Sequence, residues 1–224
     1  MSATEPLLLL LTGLVFGMRH AFDRDHVAAV THFISLEPDP MRSAWFGVRW
    51  AIGHALSVLL LGSLILLLHL KFDPAFERYA ELAVGMTLIG LGIWRLFLLY
   101  QERRHVHRHA HRSTEHTHSH SHEPRREHVH RFAPVFVGLV HGAAGTAEVF
   151  VLIPITLIST TWLAYTYIGL FSLGCATTMG GYGYVVGRFY RRASATGQRI
   201  YRTLVILTSL SGLVLGVVWI LKNL

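Results

Sequence analysis

The chain has 224 residues, of which 52% are hydrophobic and 15% are charged, and its formal net charge at pH 7 is +7. Its long apolar runs match the roughly 20 residues that a helix needs to cross a bilayer, and a soluble core does not need them. The single cysteine, Cys175, excludes an intramolecular disulfide framework and a zinc site built from several thiolates. The composition therefore predicts an all-α, polytopic membrane protein.

Six membrane-spanning helices are predicted, and the first of them is interrupted. They cover about residues 6–35, 44–70, 76–100, 132–159, 162–187 and 201–221. The segment before the first span carries Glu5 and no basic residue, whereas a cleaved signal peptide is expected to begin with basic residues. We therefore expect the first span to remain in the mature protein.

A cluster of ionisable residues interrupts the first predicted span: Arg19, His20, Asp23, Arg24, Asp25 and His26. Ionisable residues are costly at membrane depth and by default mark a functional site. On a straight helix with about 100° per residue, His20, Asp25 and His26 do not share a face. Either the helix breaks here, or only some of these residues line the site. The alternative to a site is a set of salt bridges at the end of a span.

The chemistry of this cluster favours a transition-metal ion. Imidazole and carboxylate groups together suit nickel, cobalt, zinc and copper, and the choice among these ions is set more by geometry than by ligand type. His20 and Asp23 form an i,i+3 pair, as do Asp23 and His26. We take His20, Asp23, Asp25 and His26 as candidate ligands of such an ion.

The basic residues are concentrated in the first, third and fifth connections between the predicted spans. Because Lys and Arg accumulate on the cytoplasmic side, both termini are predicted to lie outside and the third connection in the cytosol, in the plasma (inner) membrane. This bias explains the net charge of +7 without a basic domain. We therefore expect no nucleic-acid partner.

The third connection divides the chain into two halves, residues 1–100 and 132–224, which have related patterns. Gly13-Leu14-Val15 and Gly17 correspond to Gly138-Leu139-Val140 and Gly142, and the same register places Glu148 opposite Asp23. Since each half has three spans, two copies would be inverted relative to each other. Inverted repeats with a site near the middle of the membrane are a recurring plan in transporters.

The third connection, residues 101–131, is polar and charged, and we predict it to be disordered when metal-free. Its imidazoles are suited to wrapping a borderline metal ion, and the alternative interpretation is a polybasic tether near anionic lipid. We predict metal binding by His105, His107, His109, His111, His116, His118, His120, His122, His128 and His130.

Three further polar residues lie inside apolar spans. His54 is surrounded by apolar residues in the second span, and His141 and Glu148 lie two turns apart on one face of the fourth. All three are candidate ligands, although a packing role stays open, and about equally so for His141. We expect His32 and His69, near span ends, to be interfacial.

The run from Arg19 to His26 resembles the signature of the nickel/cobalt transporter family (NiCoT), in which His and a following Asp-His pair are separated by four residues. Gly53-His54 resembles that family's Gly-His-Ser motif, with Ala55 in place of Ser and Ser57 as the nearest hydroxyl. Gly138-Leu139-Val140-His141-Gly142 also resembles the related six-span group of nickel/cobalt efflux and urease-accessory-type membrane proteins. The resemblance implies a nickel or cobalt permease in which His20, Asp25, His26 and His54 contribute to ion recognition.

The prediction is a secondary permease for divalent transition-metal ions, most of all Ni2+ or Co2+, with uptake favoured over efflux. The chain has no Gly-rich phosphate loop of the ATPase type, and we predict neither an enzyme nor a retained cofactor, the metal being the transported substrate. Its expected partners are metal ions, the lipid bilayer and proteins that mature a nickel enzyme. The alternatives are a zinc carrier, a membrane-embedded metalloenzyme, or a metal sensor or insertion partner.

Overall fold

The structure is a computed structural model that describes residues 4–69, 73–102, 132–144, 151, 153–158 and 160–224. The described part of the chain is helical and contains no strand, which confirms the predicted all-α class. Its eight helices are α1 (Thr4–His20), α2 (Arg24–Ile34), α3 (Pro40–Leu68), α4 (Pro74–Glu102), α5 (Ala133–Gly142), α6 (Ile153–Leu157), α7 (Thr161–Thr196) and α8 (Gln198–Asn223).

Three of these helices are long and apolar enough to cross a membrane. They cover Pro40–Leu68, Pro74–Gln101 and Gln198–Asn223, with mean hydropathies of 2.3, 2.0 and 2.5 in their most apolar windows. Helix α7 has 36 residues, but many are Tyr, Thr or Gly, which lower its mean hydropathy. The large exposed side chains of these long helices are mostly apolar, as expected of a lipid-facing surface.

The first predicted span is interrupted, as the ionisable cluster suggests. Helix α1 ends at His20, and α2 begins at Arg24 after Asp23, whose backbone is extended at φ −62° and ψ 145°. The turn is held by two backbone hydrogen bonds, from Phe22 N–H to the Arg19 carbonyl and from Asp23 N–H to the His20 carbonyl. The break therefore places the C-terminus of one half-helix beside the N-terminus of another.

Glycines allow two close helix contacts, α1 against α7 and α5 against α3. Gly17 lies against the backbone of Phe171, and Gly138 lies against the backbone of Trp50. A β-carbon at either glycine would overlap with the neighbouring main chain, so only glycine permits these approaches.

The other extensive contacts join α3 to α7 and α4 to α8. Helix α2 lies among the longer helices and contacts α3, α4, α5, α7 and α8. It therefore links the α4–α8 pair to the helices that carry the rest of the buried histidines. Its inward face buries Asp25, His26 and His32.

We predict that Gly53→Ala destabilises the protein, because a β-carbon there would overlap with the Val135 carbonyl of α5. Forcing the two backbones apart should cost about 1–3 kcal/mol, which is typical of overpacking. Thermal unfolding of the purified protein in detergent would measure the loss. Gly90→Ala is the matched control, since its β-carbon would meet nothing within 4 Å. An equal melting temperature for the two variants would contradict this account of the α3–α5 contact.

Candidate metal-ion site

Three histidines from three helices meet at the break in the first span. His20 ends α1, His26 lies in the first turn of α2, and His54 lies within α3. Each offers a ring nitrogen within 4.8 Å of the others, and the side chains are 0%, 1% and 1% exposed. The helix break thus brings together His20 and His26, which a straight helix would separate by about 120°.

Contacts with oxygen atoms, an ion pair for His20 and a hydrogen bond for His26, indicate the proton positions on these two rings. His20 Nδ1 lies 2.9 Å from Asp23 Oδ2, and His26 Nδ1 donates to the His20 carbonyl at 3.1 Å. Because an oxygen acceptor requires a proton on each Nδ1, the neutral forms present their Nε2 lone pairs. The His26 ring thus adds a second hydrogen bond to the carbonyl at the end of α1, which also accepts from Asp23 N–H. Both rings can therefore offer Nε2 to a cation.

The spacing of the donor atoms fits a shared cation. His20 Nε2 lies 3.1 Å from His54 Nε2, and His26 Nε2 lies 3.3 Å from Asp25 Oδ2. A metal bound at about 2.0–2.1 Å by two ligands holds them roughly 2.9–3.4 Å apart at angles between square and tetrahedral. Both separations fall in this range. Without a cation, His54 Nε2–H is the donor to His20, since Asp23 occupies the other nitrogen of His20.

The two aspartates have different positions. Asp25 is 4% exposed and borders the cluster through His26, so it can supply an oxygen ligand. Asp23 stands behind His20, and its second oxygen lies 3.8 Å from the exposed Arg19 guanidinium. A carboxylate on the far nitrogen of a ligating histidine orients the ring and raises its basicity. The structure thus favours Asp23 as the residue that orients His20.

His141 lies beside the cluster. It is 1% exposed, and its ring centre is 5.8 Å from that of His26. Its Nδ1 donates to the Val137 carbonyl at 2.8 Å, and its buried Nε2 has no hydrogen-bond partner. An unsatisfied buried nitrogen is costly, so its position next to three imidazoles favours a role as an additional ligand. Glu148, its predicted companion, lies outside the described residues, as do the loop histidines from His105 to His130.

Trp50 lines one side of the site, and the sequence analysis did not identify it. Its ring centre lies 4.6 Å from His26, 5.3 Å from His54 and 5.7 Å from His141, and the side chain is fully buried. It precedes His54 by four residues, so the two share a face of α3, and this i,i+4 relation is the signal that identifies it. The indole excludes water from this side of the imidazoles.

Other polar residues near the predicted site have structural roles. Ser57 donates to the Leu139 carbonyl of α5 at 2.6 Å, so its hydroxyl joins two helices. His32 differs from the prediction of an interfacial residue: it is fully buried, with its ring against Gly212 of α8. The short α2 ends inside the helix bundle and carries it there. His69 is exposed and caps α3 in a left-handed conformation with φ 52°.

We predict that Asp23→Asn weakens binding of Ni2+ or Co2+ about 10- to 100-fold, because the amide is a weaker partner for the His20 ring than the carboxylate. Isothermal titration of the purified protein would measure the affinity. Asp73→Asn is the control, because it removes the same charge from an exposed position at the start of α4. Equal affinities in the two variants would show that Asp23 does not support the site.

Comparison with known proteins agrees with the sequence motifs. The chain is 28% identical over 229 aligned residues to the urease accessory protein UreH of Bacillus sp. (strain TB-90), an alignment that covers 97% of this chain and 92% of that protein. No family model matches the chain, and no solved structure matches it significantly. The relative is named as an accessory protein, in agreement with the prediction that the chain is not an enzyme. This near full-length similarity confirms the resemblance to urease-accessory-type proteins, which was predicted from residues 138–142 together with the motifs at residues 19–26 and 53–54.

Proposed function

We propose that the protein is a secondary permease for divalent transition-metal ions, with Ni2+ or Co2+ as its substrate. The observation that carries this proposal is the buried cluster of His20, His26 and His54 at a break in a helix. A broken helix supplies ligands and free backbone groups at the same depth, which is how many transporters build ion sites. The metal is the cargo.

The donor set supports a borderline cation. Imidazole nitrogens predominate, and Asp25 adds a carboxylate at the edge of the cluster. A hard ion such as Mg2+ prefers oxygen ligands, whereas nickel, cobalt and zinc accept imidazole. The relative's name links that protein to urease, a nickel enzyme, and this favours nickel as the physiological ion.

The helix contacts support six spans arranged as two inverted halves. Helix α1 packs parallel to α7 through Gly13 and Gly17, and α5 packs parallel to α3 through Gly138 and Gly142. If the two halves of the chain are exchanged, so that spans one, two and three take the places of spans four, five and six, the α1–α7 contact becomes the α5–α3 contact. The exchange also maps the α3–α7 and α4–α8 pairs onto themselves. We therefore propose that the first and fourth spans are equivalent, each interrupted beside the site.

The proposed topology places both termini outside and the His-rich segment, residues 101–131, in the cytosol. This follows from the excess of arginine in the odd-numbered connections. A divalent ion moving inward gains about 4–5 kcal/mol from a potential of 100 mV, at about 2.3 kcal/mol per charge. Uptake therefore needs no partner ion, and the segment would receive and buffer the arriving metal.

Radioactive Ni2+ flux into sealed vesicles of known orientation tests the proposal. We expect an inside-negative potential to drive uptake from the outer face, with Co2+ as a stronger competitor than Zn2+. Strong competition by Zn2+ would identify a zinc carrier instead. Flux from the cytosolic face that requires a proton gradient would identify an exporter. Metal binding without flux in either direction would refute a permease and favour a sensor or insertion partner.

We predict that His20→Ala and His54→Ala each reduce this flux by at least 100-fold, because each removes one nitrogen of the buried cluster. His69→Ala is the matched control: it also removes an imidazole, but from an exposed helix end. We expect His69→Ala to transport normally. Normal flux in His20→Ala would remove the cluster from the transport path.

We predict that deletion of residues 101–131 changes the regulation of uptake or its apparent affinity but leaves the maximal rate within about twofold. The reason is that the buried cluster is built from other parts of the chain. The same vesicle assay, run over a range of Ni2+ concentrations, measures both quantities. A maximal rate close to zero would mean that the segment takes part in translocation itself.

A further inference from the structure

Arg95 of α4 is buried, and the candidate ion site does not use it. Its side chain is 1% exposed, within a helix that is long and apolar enough to cross a membrane. A guanidinium is always charged, and burying it among apolar helices is costly unless it serves a purpose. The groups that the Arg95 guanidinium contacts therefore indicate its role.

Arg95 binds the end of α2. Its Nε donates to Ser35 Oγ at 3.0 Å, and one terminal nitrogen donates to the Ser35 carbonyl at 2.9 Å. The same nitrogen lies 3.3 Å from the hydroxyl of Tyr201 in α8, which itself donates to the Ser35 carbonyl at 2.7 Å. Ser35 is the C-cap of α2. The cation therefore lies at the negative end of the helix dipole and satisfies a terminal carbonyl.

The opposite end of α2 carries Asp25 and His26. The helix has 11 residues and is thus about 16 Å long, so a tilt or slide at Ser35 reaches the ion site directly. Its N-cap residue, Asp23, makes no side-chain cap, because its carboxylate faces His20. At its C-terminal end, by contrast, the Ser35 hydroxyl and carbonyl together accept three hydrogen bonds from α4 and α8. A second attachment, from Thr31 to the Tyr182 hydroxyl of α7 at 2.6 Å, lies near the same end.

We propose that Arg95 is a positioning residue for metal binding. It fixes the C-terminal end of α2 to α4 and α8, and through this short helix it holds His26 and Asp25 against His20 and His54. The proposal rests on the proposed function to the extent that the histidine cluster must bind the ion.

Co2+ binding to the purified full-length protein in detergent tests the proposal, because its visible absorption spectrum reports the number and geometry of its ligands. Arg95→Met keeps an unbranched side chain about as long as the apolar stem of Arg and removes the guanidinium and its charge. We expect it to weaken Co2+ affinity 10- to 100-fold and to give the spectrum of His26→Ala. Arg95→Lys, which retains the charge but cannot make the forked contact, should restore part of the affinity. Ser209→Ala is the control, because it removes a buried hydroxyl from the same α4–α8 interface and should change neither property.

A double-mutant cycle separates positioning from general stability. In a His26→Ala background, Arg95→Met should cost much less affinity than in the unchanged protein, because Asp25 is then the only ligand left for it to position. An equal loss in both backgrounds, or an unchanged spectrum in Arg95→Met, would overturn the proposal. If Arg95→Met does not fold, Tyr201→Phe removes one member of the same contact and should shift the spectrum in the same direction. Absence of Co2+ binding in the unchanged protein would overturn both this proposal and the proposed function, whereas binding without flux would overturn only the latter.

Discussion

The interruption of the first helical segment after His20 is the constraint on which the rest of the site depends. A helix that stops inside an apolar bundle leaves backbone carbonyls and N–H groups that have no water to bind. Here the His20 carbonyl accepts from both Asp23 N–H and the His26 ring, and the carboxylate of Asp23 lies against the His20 ring. These contacts orient the two imidazoles so that Nε2 of each lies beside another donor atom of the cluster, His54 Nε2 for His20 and Asp25 Oδ2 for His26. The contacts around the helix break are therefore also the contacts that orient the candidate ligands.

The surrounding helices supply the remaining parts of the site through close approach. Glycines let α5 lie directly on α3, and this places His141 of α5 beside Trp50 of α3. Side chains of ordinary size at Gly53 or Gly138 would separate these helices. These glycines thus help to form the candidate ion site by setting the distance between the helices that carry it. The distance between the α3 and α5 backbones thus determines which side chains meet at the site.

Much of this arrangement follows from the sequence. The helical class is apparent from composition, and the break in the first span follows from ionisable residues that a single helix face cannot hold. The meeting of His20, His26 and His54 is not predictable from the residues alone, because it depends on how α3 approaches α1 and α2. The motif resemblance suggested it. Trp50 and the burial of His32 were missed for a related reason: each depends on a neighbour distant in sequence, and aromatic or lone histidine residues in apolar spans carry no distinctive local pattern.

The four imidazoles are not anchored equally. Among the described helices, α1 packs extensively only against α7, whereas α3, which carries His54, lies between α5 and α7. Separating one helix from a single neighbour breaks fewer contacts than withdrawing one from between two. Without a cation, one hydrogen bond joins His20 to His54. A bound cation would replace this hydrogen bond with one metal bond to each ring. Helix α1 can therefore move away from the cluster at a smaller cost in packing than α3. Because His20 is the last residue of α1, its movement would open the cluster.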